Sequence, residues 1–257
     1  MRRWAWVVVL VGGVVLFEIV RRVLIETQNP NLVPSLILLG AAVAPATFVT
    51  FVLGRRLQYD ISGGAIALVA FLSGVIGVVT AGLLEFDTLR DLGVLPMVAV
   101  GLIEEAAKLI VPAILLIVLR RYRLPSDGLL VGVAAGAGFA ALETMGYGFV
   151  TLISSRGDLA AVDSILLLRG LLSPAAHMVW TGLTATALWY AAAHGWKGGA
   201  VLRFIAVFAL AVALHATWDS IGTIPAYIVL AAISLGLLTW FAHLLARELR
   251  VAEAVPA

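Results

Sequence analysis

The 257-residue sequence predicts an all-α, polytopic membrane bundle of about eight spanning helices, and three observations carry that expectation. Hydrophobic residues make up 62 % of the chain and charged residues 12 %, with a mean hydropathy of +1.08. A soluble domain is nearer half apolar and a quarter charged. Apolar windows of about twenty residues, the length a helix needs to cross a bilayer, recur along the whole chain. Lys and Arg gather at the window ends and are heavier on alternate sides.

The windows fall near 4–24, 32–53, 61–84, 93–119, 127–153, 164–193, 199–221 and 224–246. The first begins like a signal peptide, with Met1-Arg-Arg ahead of the run from Trp4 to Val20. That run is long, ends in Glu18 and Arg21-Arg22, and lacks a small-x-small cleavage site, so it reads as a retained span. Arg2-Arg3, Arg55-Arg56, Arg120-Arg121-Arg123, Lys197 and Arg247/Arg250 share one side, against Arg21-Arg22, Arg90 and Arg156 on the other. By the positive-inside rule both termini are cytoplasmic, and the protein is expected as a multi-pass protein of the cell membrane. The connections at 85–91 and around Arg156-Gly-Asp158 are too short for a soluble domain, which leaves one integral membrane domain over 1–257. The net charge of +2 is accounted for by these flanks, so no nucleic-acid partner is inferred; the lipid bilayer is the expected surrounding. With no cysteine, disulfides, thiolate metal sites and Cys nucleophiles are excluded.

Charge inside the windows is where function is sought. Gly101-Leu-Ile-Glu-Glu-Ala-Ala-Lys108 puts two carboxylates and an ammonium in the fourth window. Each costs at least about 2.5–3.5 kcal/mol near the bilayer centre, so all three must face protein or a wet cavity. Lys108 follows Glu105 by three positions and Glu104 by four, within reach of both on a helix. The fifth window carries Gly128, Gly132 and Gly136 at four-residue spacing, then Gly138, Gly146 and Gly148, a pattern that lets a neighbouring helix approach closely. Phe139 and Glu143 share a face there. The sixth holds Arg169 and His177 after Ser173-Pro174, where proline either kinks the helix or marks a re-entrant start. In the seventh, His215 and Asp219 meet at i and i+4, with Trp218 between them.

From a rise of about 1.5 Å per residue, Glu104, Glu105, Glu143, His177 and His215 all lie within roughly 5 to 20 Å of the external edge. His194 and His243 instead sit at helix ends, as interfacial side chains do. Two His and one Glu from three helices are the donor types of a catalytic zinc site with an open position, and a further Glu can take a proton from water. No His-Glu-x-x-His is present. Taken singly, each histidine reads equally well as a packing residue. An ion or proton pathway is the alternative for the whole set, though no internal repeat links the two halves. A catalytically silent scaffold for membrane helices is a third reading, and it would not need these polar groups together.

In order, Glu104-Glu-Ala-Ala-Lys108, Gly138-Phe-Ala-Ala-Leu-Glu143, His177 after Arg169 and His215-Ala-Thr-Trp-Asp219 resemble the PrsW-like intramembrane proteases, distantly similar to the CAAX prenyl endopeptidases. The resemblance covers about 93–222, the expected catalytic core. It implies hydrolysis of a peptide bond in or beside a membrane-anchored protein substrate, for example an anti-sigma factor. In that reading His177, His215 and Glu143 hold zinc, and Glu104 or Glu105 is the general base beside Lys108. Asp219 orients His215 or joins the metal. A metal-free variant, with Glu activating water and the histidines stabilising the oxyanion, stays open. Thr144 stands where many relatives carry Asn.

Overall fold

A computed structural model describes residues 2–55, 57–119 and 121–254, so Arg56 and Arg120 of the expected basic flanks lie outside the described residues. The described residues are helical, with no strand among them. The helices are α1 (Ala5–Thr27), α2 (Val33–Leu53), α3 (Gly63–Leu92), α4 (Met97–Lys108), α5 (Ile110–Val118), α6 (Pro125–Ser154), α7 (Leu159–Leu172), α8 (His177–Ala193), α9 (Gly198–Ser220) and α10 (Ile224–Ala254).

Among the described residues, six passages are long and apolar enough to cross a membrane: Pro30–Leu53, Gly63–Leu92, Pro125–Ser154, Leu159–Ala193, Gly198–Ser220 and Ile224–Leu245. Two of the eight expected spans are not in that set. α1 carries Glu18, and Arg21 and Arg22 each pair with it at 2.7 Å. The window at 93–119 is broken at Leu109 into two helices, each too short to span alone. Pro112 explains the break, because it has no N–H for the Lys108 carbonyl and its ring crowds that carbonyl. The third span also runs further than expected. α3 continues to Leu92, so residues 85–91 are helix and not a connection.

α6 is the central helix, flanked by α8, α3, α2 and α7. Its glycines set the spacing. A Cβ on Gly136 would lie 2.5 Å from the His177 carbonyl oxygen, one on Gly128 2.7 Å from the Trp189 ring, and one on Gly132 or Gly138 would strike the carbonyl oxygen of Thr181 or Ala70. Gly146 has open space around it. Gly148 faces Leu166, Gly136 faces His177 and Gly132 faces Thr181, so α7 and α8 form one passage antiparallel to α6. Pro174 breaks that passage at Ser173–Ala176 without reversing it, which resolves the choice between a kink and a re-entrant start.

At the other end of α6, the buried Asp127 carboxylate accepts from the backbone N–H of Asp60 at 2.8 Å and Ile61 at 3.1 Å. Ser126 Oγ donates to the Gln58 carbonyl at 2.5 Å. Burial in this loop, with Asp127 close by, pushes the Tyr59 hydroxyl above its ordinary pKa.

Candidate active site

Lys108 is the last residue of α4, where the break leaves backbone carbonyls unpaired and a cation is favoured by the helix dipole. Its side chain is fully buried. The ammonium donates to Glu104 Oε2 at 3.1 Å, Glu105 Oε1 at 2.8 Å and His177 Nδ1 at 2.9 Å, and lies 4.3 Å from the Phe139 ring centroid. An ammonium has only protons to offer, so His177 Nδ1 accepts here, and the Nε2 of a neutral ring carries the proton. That nitrogen is 3.0 Å from Glu143 Oε2.

Glu143 is also held by Arg169, with Nη2 2.7 Å from Oε2. The Arg169 Nε donates to the buried Thr144 Oγ1 at 3.2 Å, and its guanidinium lies over the Tyr147 ring. The hydroxyl at 144 therefore fixes the guanidinium that fixes the carboxylate, a task an Asn carbonyl could also perform.

Gly101 lets α9 come close, since a Cβ there would lie 3.0 Å from the Val212 carbonyl oxygen and 3.4 Å from the His215 Cβ. His215 is 1 % exposed. Its Nδ1 meets Glu105 Oε1 at 2.8 Å, and its Nε2 is 3.4 Å from Glu104 Oε2 and 3.3 Å from Asp219 Oδ2. With the Nδ1 proton given to Glu105, a neutral ring presents its Nε2 lone pair to two carboxylates. Such a contact needs a shared proton or a shared cation.

One donor atom from each of Glu104, His177 and His215 lies within 4.8 Å of the others, forming a possible His/Glu metal site. Two imidazoles and a carboxylate suit a catalytic zinc with one position open, and Glu105 on His215 Nδ1 is the outer hydrogen bond that such sites use. The donor types fit the ion, with His177 exchanging its Lys108 contact at Nδ1 or its Nε2 proton for the metal. Beside it opens a cavity of about 460 Å³, with Glu104, Glu143, Asp219, Arg169 and Trp218 among its walls.

A family model described as PrsW family intramembrane metalloprotease matches residues 2–246. The chain belongs to the PrsW family. It is thus a multi-pass membrane peptidase whose surroundings are a lipid bilayer and whose substrates are membrane proteins, and the ion-pathway reading falls behind. No curated protein and no solved structure gives a match.

Every residue given a catalytic or metal role from the sequence of this PrsW-family chain reaches one cluster: Glu104, Glu105 and Lys108 from α4, Glu143 from α6, His177 from α8, and His215 and Asp219 from α9. Glu143 is outside the converging donors, and Glu104 is among them. His194 is exposed at the C-terminal end of α8, whereas His243 is exposed within α10, which runs on to Ala254 beyond the end expected for its span. Sequence reasoning gave Arg169 no role, although a guanidinium inside an apolar window is itself a signal. It also left Glu85 in a connection, whereas the side chain lines the cavity.

Proposed function

We propose that this PrsW-family protein cleaves a peptide bond of a membrane-anchored protein, such as an anti-sigma factor, in the cell membrane, with zinc held by His177, His215 and Glu104. The observation that carries the reading is the convergence of those three donors, from three helices, beside a cavity inside a membrane bundle. Glu104 is preferred to Glu143 as third ligand because its carboxylate lies within the converging set. When bound, zinc supplies Lewis-acid polarisation of a carbonyl and a more acidic water.

The chain's own residues do the rest. Glu105 holds the His215 ring by Nδ1 and leaves Nε2 turned inward. Lys108 offsets the paired charge of Glu104 and Glu105. Glu143, on the cavity wall, takes the proton of the attacking water and returns it to the departing amine nitrogen, a role worth about 10²–10⁴ in rate. Arg169 keeps that carboxylate aimed. Asp219 sits on the cavity side of His215 and sets the ring from there.

A metal-free reading is favoured by one contact, the 2.9 Å from Lys108 Nζ to His177 Nδ1, which spends that lone pair on an ammonium and leaves an N–H at Nε2. In that reading Glu104 is the base and the histidines donate to the oxyanion. The test is metal analysis of detergent-purified wild type beside His177→Ala and His215→Ala, with cleavage of a membrane-anchored peptide measured in parallel. About one zinc per chain, lost in both variants, and cleavage lost in Glu104→Gln and Glu143→Gln, is the expected result. Activity that resists chelator in metal-free protein would replace zinc by the glutamate mechanism. Vesicles showing Glu104-dependent proton flux without any cleavage would overturn the peptidase reading.

A further inference from the structure

We infer that the cavity contains a subsite for a positively charged group of the substrate, anchored by Glu85; the inference rests on the peptidase reading above and names a substrate class for it. α3 and α4 are antiparallel neighbours joined by the short connection 93–96. Glu85 lies seven residues before Leu92, and Glu104 seven residues after Met97. At about 1.5 Å per residue both stand about 10 Å from the connection, so Glu85 faces the cavity at the depth of the donors. Both line it.

Four carboxyl groups line that cavity, Glu85, Glu104, Glu143 and Asp219, against one lining cation, Arg169. Three of the four are already engaged. Glu104 has Lys108 at 3.1 Å, Glu143 has Arg169 at 2.7 Å, and Asp219 has His215 at 3.3 Å. Glu85 differs, because its Oε1 is buried with no hydrogen-bond partner and no described cation pairs with it. The carboxylate is half-buried, and its one oxygen kept from water has nothing to pair with, a cost that an incoming ammonium or guanidinium removes. Trp218 and Tyr227, with ring centroids 4.5 Å apart, add aromatic wall for a cation to lie against. The volume, about 460 Å³, lies within the roughly 300–1,000 Å³ of ligand sites and leaves room for a Lys or Arg side chain beside the peptide backbone. Lys and Arg gather mainly on the cytoplasmic flank of a membrane span, so on the external flank, where this cavity is expected, such a residue is a distinguishing mark of the substrate. The matching substrate therefore has Lys or Arg within a few residues of the scissile bond, on the flank that enters beside α3.

The probes are single-span peptides with an otherwise uncharged flank, identical except for Lys, Gln or Glu at successive flank positions, presented to the full chain in proteoliposomes. At one position the wild type is expected to cleave the Lys peptide about tenfold faster than the Gln peptide. That ratio should collapse toward one in Glu85→Gln, survive in part in Glu85→Asp, and turn in favour of the Glu peptide in Glu85→Lys. An unchanged Lys-to-Gln ratio in Glu85→Gln overturns the subsite, as does an equal loss on all peptides, which would mark Glu85 as a proton donor or a structural residue. Should the wild type cleave none of them, fluorescence anisotropy of labelled peptides decides separately. Tighter binding of the Lys peptide, lost in Glu85→Gln, keeps the subsite while the peptidase reading fails; equal binding removes the subsite.

Discussion

Replacing Lys108 by Met keeps the bulk of the side chain and removes the charge around which the site is built. The ammonium is fully buried and touches two carboxylates, at 2.8 and 3.1 Å. At an effective dielectric of about 20 each contact carries roughly 5–6 kcal/mol of gross attraction. The measurable loss is smaller, because a stranded carboxylate takes up a proton in place of staying charged, and about 3–5 kcal/mol is the expected cost of removing one partner of a buried pair. His177 loses its Nδ1 donor in the same step. The assay is reversible unfolding in mixed micelles by rising SDS fraction, comparing wild type, Lys108→Met, Glu105→Gln and the double variant. The double variant removes an ammonium and a carboxylate together, so it should be more stable than the sum of the singles predicts, by about 1 kcal/mol or more. Should Lys108→Met unfold within about 0.5 kcal/mol of wild type, as a surface substitution does, and the pair prove additive, the charge-compensation argument is wrong.

Two further outcomes follow from packing and from the arginine bridge. Gly136→Ala should cost about 1–3 kcal/mol, the range for overpacking, and depress cleavage, because the new Cβ meets the His177 backbone at 2.5 Å; Gly146→Ala, in open space, serves as the neutral control in the same unfolding assay. Thr144→Val should lower stability by about 1–3 kcal/mol by leaving Arg169 Nε without its acceptor, while Thr144→Asn restores an acceptor and should recover most of the loss; equal behaviour of the two variants would refute the bridge.

What the sequence made legible is what lies on a single helix. The triad of Glu104, Glu105 and Lys108 and the pair of His215 and Asp219 follow from three- and four-residue spacing, and both are seen at bonding distance. The costs of charge in lipid pointed to the same residues without any geometry. Element ends were less legible, because they hang on particular prolines and on polar residues that helices still tolerate. Pro112 splits the fourth window at Leu109, while Asp87, Arg90 and Asp91 pair among themselves and let α3 run on to Leu92. That extension is what turns Glu85 from a loop residue into a wall of the cavity.

The choice between Glu104 and Glu143 as third donor lies beyond spacing, since it depends on how helices are rotated and how near they stand. Those two quantities are set by glycines. Gly136 brings the His177 turn of α8 against α6, which carries the ring between Lys108 and Glu143, and Gly101 brings α9 against α4, which carries His215 onto Glu105. A methyl group at either position would push a helix axis outward by tenths of an ångström, comparable to the tolerance within which catalytic groups must be held. The glycines at 101 and 136 are thus as much a part of the site as the side chains they admit. The four-residue glycine spacing in the sequence, read only as close helix packing, also helps set which carboxylate stands within reach of both histidines.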